Sequence, residues 1–190
     1  ASENIIDMTQ KGSLTVYKYD LTAAEEDGID TSEEKFANNG KEDEKAKEEF
    51  KNYVISGVEF TYLHLGNIHT EHKQNEIQIL YDIPEKLEKI LGMDNKRGNH
   101  QYTSTELNYS LKELLAQETE GRNQLEHYVN HADEKKNMPL TDKNGKTSVT
   151  ELPLGLYLIV ETKVPANIHT TVEPFFVSLP MTDHEGEAWF

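Results

Sequence analysis

Two ionisable residues interrupt apolar strand patterns in this sequence, and together they could carry chemistry. Glu161 lies in the run YLIVET, whose two alternating faces are both apolar. The run is therefore predicted to be a central strand, with Glu161 at least partly buried. Because burying a carboxylate without a partner costs several kcal/mol, Glu161 is expected to contact a cation or a hydrogen-bond donor.

Lys18 is the predicted partner of Glu161. In the run GSLTVYKYDL, Leu14, Val16 and Lys18 share one face of a strand, so the lysine follows two aliphatic side chains. The alternative is that Lys18 extends along the apolar surface and reaches solvent at the end of the strand. A buried Lys–Glu pair could be an inert ion pair, or a neutral amine beside a neutral acid. The second form would be a nucleophile beside a proton shuttle.

The eight histidines raise a second chemical possibility, a metal site. His64, His69 and His72 are close in sequence, and His127 and His131 are four apart on a predicted helix, a spacing that helical zinc sites use. Neither set has an HExxH form or an accompanying acid triad. These histidines are therefore interpreted as exposed polar residues, and no metal site and no cofactor is predicted.

The composition narrows the class of protein. The formal net charge of -16 over 190 residues argues against nucleic acid as a partner, which requires clustered Lys and Arg. Cysteine is absent, which excludes disulfides and cysteine-based metal sites. The sequence contains no apolar run of bilayer length and no N-terminal signal segment. A cytosolic protein and a Gram-positive surface protein both remain compatible with these properties.

The hydrophobic pattern predicts a mainly β fold interrupted by helices. The segments 12–83 and 139–182 are predicted to be mainly β, apart from a charged loop over 22–52. This loop lacks an apolar stripe and is predicted to be solvated, with room for a short helix over Glu42 to Lys51. The run IQILYDI fits a strand or the start of a helix. Leucines at helical spacing predict a helical insertion over 84–137, in which Gly121 breaks or bends the chain. One β-sandwich domain spanning 1–190 is the simplest arrangement.

Three segments together resemble a known family. LPLGLYLIVETKVP is similar to the E-box of Gram-positive pilins, and EPFFVSLPMTDHEGEAWF is similar to the end of the N-terminal domain of sortase-assembled backbone pilins. GSLTVYKYD resembles the first strand of that domain. The resemblance covers both ends of the chain and leaves the middle unmatched. It implies an immunoglobulin-like β-sandwich of the Cna protein B type.

The resemblance also implies roles for particular residues. In this family a first-strand lysine can form an isopeptide bond with an Asn or Asp near the end of the domain, with the E-box glutamate as catalyst. Lys18 and Glu161 occupy the matching positions, as the amine and the catalytic acid. No Asn follows the last strand here, and Asp183 is the nearby side chain that could act as acceptor. Because the usual acceptor is missing, we expect Lys18 and Glu161 to be in contact and Lys18 to form no isopeptide bond.

The function that the resemblance implies is structural. The chain is expected to be part of the shaft of a cell-wall-anchored extracellular pilus, with neighbouring pilin subunits and a pilus-specific sortase as partners and an indirect part in adhesion. Such a protein is not an enzyme beyond one self-crosslinking event. The lysine that sortase joins is expected beyond Phe190, so the sequence is interpreted as a fragment. Two rivals are an ancillary pilin or adhesin that binds a host surface or matrix receptor, and an enzyme that uses the histidines.

Overall fold

A computed structural model describes residues 7–31, 44–168 and 171–180. In these ranges the chain forms nine strands: β1 (Lys11–Tyr17), β2 (Glu59–Gly66), β3 (Ile68–Lys73), β4 (Glu76–Asp82), β5 (Gln101–Tyr102), β6 (Lys136–Asn137), β7 (Lys146–Pro153), β8 (Gly155–Lys163) and β9 (Phe175–Leu179). The helices of these ranges are α1 (Leu21–Glu26), α2 (Glu44–Phe50), α3 (Glu85–Ile90), α4 (Ser104–Leu115) and α5 (Glu118–Asn130). The predicted mainly β fold with inserted helices is confirmed.

The central layer is an antiparallel sheet in the order β6-β2-β8-β9. Strand β8 lies in its middle and pairs with β2 so that Tyr62 faces Ile159 and Phe60 faces Glu161. Because successive side chains of a strand point to opposite faces, β8 contributes to a hydrophobic core on each side of the sheet. This explains why its sequence is an almost continuous apolar run.

Two hydrophobic cores flank the central sheet. The first lies between the sheet, helices α3 to α5 and the small sheet β3-β4-β5, and includes Leu63, Leu158 and Val160. The second lies between the sheet and the β1-β7 ladder, and includes Leu14, Val58, Phe60, Tyr62, Tyr157 and Ile159. The β1-β7 ladder and the central sheet thus form the two layers of a sandwich, and the helical insertion covers the outer face of the central sheet.

The helical insertion follows its sequence signals except at Gly121. Thr103 and Glu106 form a reciprocal capping box at the start of α4, whose buried residues include three of the predicted leucines. Gly121 does not break the chain, because it lies inside α5. A Cβ atom at this position would lie 2.0 Å from the carbonyl oxygen of Leu114. Glycine is therefore required for the close approach of α5 to the end of α4.

Other differences between prediction and structure concern local elements. In the charged segment 22–52, helix α1 was not predicted, whereas α2 agrees with the short helix expected near the end of the segment; residues 32–43 lie outside the described ranges. Strand β3 lies within the segment 12–83 predicted to be mainly β, but its exposed polar residues give too little apolar alternation to define it as a separate strand. The ambiguous run IQILYDI lies in strand β4 and the residue that follows it. No helix within the described part of the chain is long and apolar enough to cross a membrane.

Candidate functional site

The first component of the site, Lys18, directly follows strand β1. Its backbone N–H donates to the carbonyl of Gly145 at 2.7 Å, and its own carbonyl accepts from the N–H of Ile55 at 3.0 Å. Tyr19 then forms a β-bridge with Val54. The backbone therefore stays extended past the end of β1, which keeps Lys18 on the same face as Leu14, and the lysine is only 3% exposed.

The second component, Glu161, projects from β8 into the space between the two layers. Its carboxylate Oε2 lies 3.2 Å from Nζ of Lys18, and the side chains of Lys18 and Glu161 are 3% and 5% exposed. The structure thus brings together two side chains from opposite ends of the chain. The snorkelling alternative for Lys18 is wrong, because its ammonium group is enclosed by the sandwich rather than exposed at its rim.

The side chains of Lys18 and Glu161 are close together, but their geometry is not that of a hydrogen bond. The Nζ to Oε2 distance is that of an ion pair, yet Oε2 of Glu161 accepts no hydrogen bond of acceptable geometry among the described residues. A carboxylate offers about four lone-pair sites, so capacity to accept remains at this oxygen. Chemically, the arrangement is an amine next to an acid that retains an acceptor position, with water largely excluded.

Thr162, the residue after Glu161, supports the strand from the opposite face. Its hydroxyl donates to Oε1 of Glu59 at 2.8 Å and lies 3.0 Å from the hydroxyl of Thr61. Thr61 in turn donates to Oδ1 of Asn137 at 2.8 Å, which ties β6 to the sheet. These polar groups line a cleft of about 340 Å³ between the sheet and α5. The hydrogen bonds of Thr162 were not predicted from the sequence, although a polar Glu-Thr pair within an apolar strand could have indicated them.

An aromatic cluster fixes α2 against the far end of β1. The rings of Tyr17 and Tyr19 stack with centroids 6.2 Å apart, and Phe50 packs against Tyr19 at 5.4 Å. Lys47 lies over the ring of Tyr17 at 5.1 Å. By strand alternation these tyrosines occupy the face opposite to Lys18. The short helix of the charged segment, expected from sequence to be solvated, is thus packed against the strand that leads to the lysine.

A buried polar network around Glu88 was also missed by sequence reasoning. Tyr102 donates its hydroxyl hydrogen to Oε2 of Glu88 at 2.5 Å, and Nδ1 of His100 lies 3.0 Å from Oε1. The same tyrosine oxygen accepts from the N–H of Asn95 at 2.7 Å. Burial, together with the bond to Glu88, raises the pKa of Tyr102 to about 12. The network joins α3, the 93–100 loop and β5, and it has no contact with Lys18 or Glu161 among those described.

The other residues singled out in the sequence either lie outside the described residues or make contacts of their own. Asp183 lies outside the described residues. His64 contacts the carbonyl of Leu154 at 3.2 Å, and His69 contacts Asp82 at 2.7 Å. Within residues 7–31, 44–168 and 171–180, no three His, Asp or Glu side chains are grouped closely enough to hold a metal ion.

Comparisons with known proteins match this chain to one family. Residues 9–190 match the family model described as Gram-positive pilin subunit D1, N-terminal domain. A fimbrial subunit type 2 from Actinomyces naeslundii is 42% identical over 48 residues, which are 25% of this chain and 9% of that protein.

Solved pilin structures extend the comparison to the fold. The full-length major pilin SpaD from Corynebacterium diphtheriae aligns with 99% of this chain at 21% identity and a TM-score of 0.51. The full-length RrgB pilus protein from Streptococcus pneumoniae aligns with 66% of it at 12% identity and a TM-score of 0.27, too low to carry an argument.

The alignment with SpaD confirms the predicted immunoglobulin-like sandwich with a helical insertion. The chain spans 31% of the length of SpaD and 9% of the Actinomyces protein, so it corresponds to only part of these relatives. Because the family model covers nearly all of its residues, the chain belongs to the Gram-positive pilin subunit D1 N-terminal domain family, a family of structural subunits of surface pili.

Proposed function

We propose that this chain is the N-terminal domain of a backbone subunit of a sortase-assembled pilus. The observation that carries the proposal is the family match over residues 9–190, which includes both layers of the sandwich and the helical insertion. In this proposal residues 1–190 form a single domain of a longer protein. That protein is exported, anchored to the cell wall and linked to neighbouring subunits by a pilus-specific sortase.

The Lys18–Glu161 pair is proposed as the reactive part of the domain. Burial excludes water from the amine and the acid, and the 3.2 Å contact lets Glu161 take up and return a proton. With Asp183 as acceptor, Nζ of Lys18 would attack the carboxyl carbon of Asp183. A C–N bond would form, a C–O bond would break, and one water would leave carrying the proton from the amine. Because the usual Asn acceptor does not follow the last strand, we propose that Lys18 of this chain stays in contact with Glu161 and forms no isopeptide bond.

Polymerisation in cells tests the structural function. The full-length subunit that contains this chain is expressed in a Gram-positive host, with and without its pilus sortase. Boiled cell-wall extracts are then separated by denaturing electrophoresis. We expect a ladder of covalent polymers that react with antibody to this chain and disappear when the sortase is inactivated. A single monomer band in both strains would contradict the proposal.

A receptor-binding role would give a different result in the same strains. An ancillary pilin or adhesin would bind host matrix proteins or glycans through the isolated chain, and it would be present at a few positions in polymers made mainly of another subunit. Two results together would favour this alternative: the isolated chain binds host matrix proteins or glycans, and polymers still form normally when the gene for the subunit is deleted.

A further inference from the structure

The end of helix α5 carries two histidines that play no part in the Lys18–Glu161 site. His127 lies in the last turn of α5, and His131 is the residue that caps it. Both residues are exposed, and their rings stack with centroids 3.9 Å apart and planes inclined by 29°. Two exposed imidazoles are thus held side by side, with access from solvent.

The local hydrogen bonding fixes which nitrogen of His131 is free. Nδ1 of His131 lies 2.9 Å from the carbonyl oxygen of His127. A carbonyl oxygen can only accept, so Nδ1 carries the hydrogen and donates it, and Nε2 of the neutral ring keeps its lone pair. Metal-binding histidines commonly donate their second ring N–H to a backbone carbonyl in this way, which orients the ring and raises the basicity of the other nitrogen.

The separation of the rings suits two ligands of one ion. Zn–N bonds are about 2.0–2.1 Å long, so two nitrogens bound to the same ion are at most about 4 Å apart. The 3.9 Å separation is between the ring centres of stacked rings, so both exposed side chains must rotate before one nitrogen of each points at a common ion.

The electrostatic surroundings also favour a cation. The C-terminus of a helix carries a partial negative charge, and α5 has 13 residues. Asp133 and Glu134 lie two and three residues after His131 and are exposed, and the chain as a whole has a net charge of -16. Since two imidazoles are borderline-soft ligands, the pair selects late first-row transition ions over the hard ions Mg²⁺ and Ca²⁺.

From this geometry we propose that His127 and His131 form a surface site for one late first-row divalent transition-metal ion, held by two imidazole nitrogens and completed by water. The site is independent of the pilus function proposed above. With two protein ligands it has open coordination positions, and its affinity follows the order in which Cu²⁺ exceeds Ni²⁺ and Zn²⁺.

Metal titration of the 190-residue chain tests the proposal. Isothermal titration at neutral pH with Cu²⁺, Ni²⁺ and Zn²⁺ is expected to give one equivalent of bound ion, with the tightest binding for Cu²⁺. With one equivalent of Cu²⁺, electron paramagnetic resonance is expected to show coupling to two imidazole nitrogens. Equal binding of Mg²⁺ would contradict the proposal, because it would indicate general attraction to the acidic surface.

Variants separate this site from other histidines. His127→Ala and His131→Ala are each expected to weaken binding at least about tenfold, whereas the matched control His72→Ala, an exposed histidine on β3, should leave it unchanged. Alanine favours helix, so the metal-free variants should keep their circular dichroism spectra and Tm. An equivalent of ion that persists in both α5 variants, or no binding by the unchanged protein, would overturn the proposal.

Discussion

The Nζ atom of Lys18 lies 3.2 Å from Oε2 of Glu161 in a space where the two side chains are 3% and 5% exposed. Taking two charges out of water is unfavourable, and their attraction offsets this cost only while both are present. The pair is therefore asymmetric in its consequences. Removing Lys18 leaves the buried carboxylate of Glu161 without this cation, whereas replacing both residues by apolar ones removes the two facing charges together.

Substituting Lys18 alone, or Lys18 together with Glu161, should reveal this asymmetry in the free energy of unfolding. Lys18→Met is expected to lower the free energy of unfolding by about 3–5 kcal/mol, because Glu161 is left buried and unpaired. The double variant Lys18→Met, Glu161→Leu should recover most of that loss. Urea unfolding measures both, as a change in midpoint with an unchanged m value. As a control, Lys163→Met removes the exposed partner of Glu59 at 3.9 Å and should cost less than about 1 kcal/mol.

Equal midpoints for the Lys18→Met variant and the unchanged protein would show that the pair has no energetic role. A double variant as unstable as the single one would show that packing, rather than the unpaired charge, causes the loss.

The start of α4 should make stability sensitive to acid. Burial acts to raise the pKa of Glu106, but hydrogen bonds from Lys96, the N–H of Thr103 and Arg97 outweigh it and lower the pKa to about 2 from 4.5. A group with a lowered pKa in the folded state stabilises it above the unfolded pKa. This contribution is lost as the pH falls from about 4.5 to 2.

Glu106→Gln is therefore expected to flatten the dependence of stability on pH in this window, measured by urea midpoints at several pH values. Thr103→Ala should lower stability by about 0.5–2 kcal/mol by removing the N-cap. An unchanged pH dependence in Glu106→Gln would show that its bonds form equally in the unfolded chain.

The Glu88 network predicts the opposite behaviour in alkali. Because the pKa of Tyr102 is raised from 10.0 to about 12, the folded state holds this proton more tightly than the unfolded state. The resulting stability is complete below pH 10 and is lost as the pH rises towards 12. Tyr102→Phe should cost about 1–3 kcal/mol at neutral pH, since Glu88 loses a buried donor.

The ultraviolet absorbance of tyrosinate, followed during an alkaline titration, checks this assignment. The unchanged protein should contain a late-titrating tyrosine that Tyr102→Phe lacks, and Tyr109→Phe serves as the control because Tyr109 is 66% exposed. Tyr157 also has a pKa raised to about 12, by burial and by Tyr62, so the variant should lose part of the late signal. A full late signal in Tyr102→Phe would contradict the assignment.

Gly121 provides a test of helix packing. In Gly121→Ala the new Cβ would meet the carbonyl of Leu114 at 2.0 Å, so α5 must move away from α4. We expect a loss of about 1–3 kcal/mol, or more if the first core opens. Asn123→Ala, at an exposed position of the same helix, should be neutral or slightly stabilising. Thermal unfolding followed by circular dichroism compares the two, and equal Tm values would contradict the close contact.

The strands that carry the site were predictable from sequence because their apolar alternation is strong. The pattern of β1 placed Lys18 on the Leu14 face, and the two apolar faces of β8 predicted a central strand that buries Glu161. Lys18 and Glu161 come into contact because β1 pairs with the distant strand β7. Strand β7 precedes β8 in sequence but lies in the other layer of the sandwich. Pairing at such separation leaves no periodic signal in either segment.

Polar contacts between distant segments were not predictable for the same reason. In the sequence Glu88 is one of several charged residues on a short helix. Its burial is explained by the hydrogen bond from the Tyr102 hydroxyl, which forms only in the folded chain. Helix α2 has no apolar stripe, so its packing through Phe50 on Tyr19 depends on aromatic contacts that appear only in the folded chain. The role of Gly121 likewise depends on the position of Leu114 in the preceding helix.

Intact mass spectrometry tests most directly the proposal that Lys18 lies buried beside Glu161 without an isopeptide bond in this pilin domain. The purified 190-residue chain, measured under denaturing conditions, is predicted to have the full mass of its sequence, and Glu161→Gln should differ from it only by the substitution. A mass deficit of one water or one ammonia that disappears in Glu161→Gln would contradict the proposal and show that Lys18 has formed an isopeptide bond.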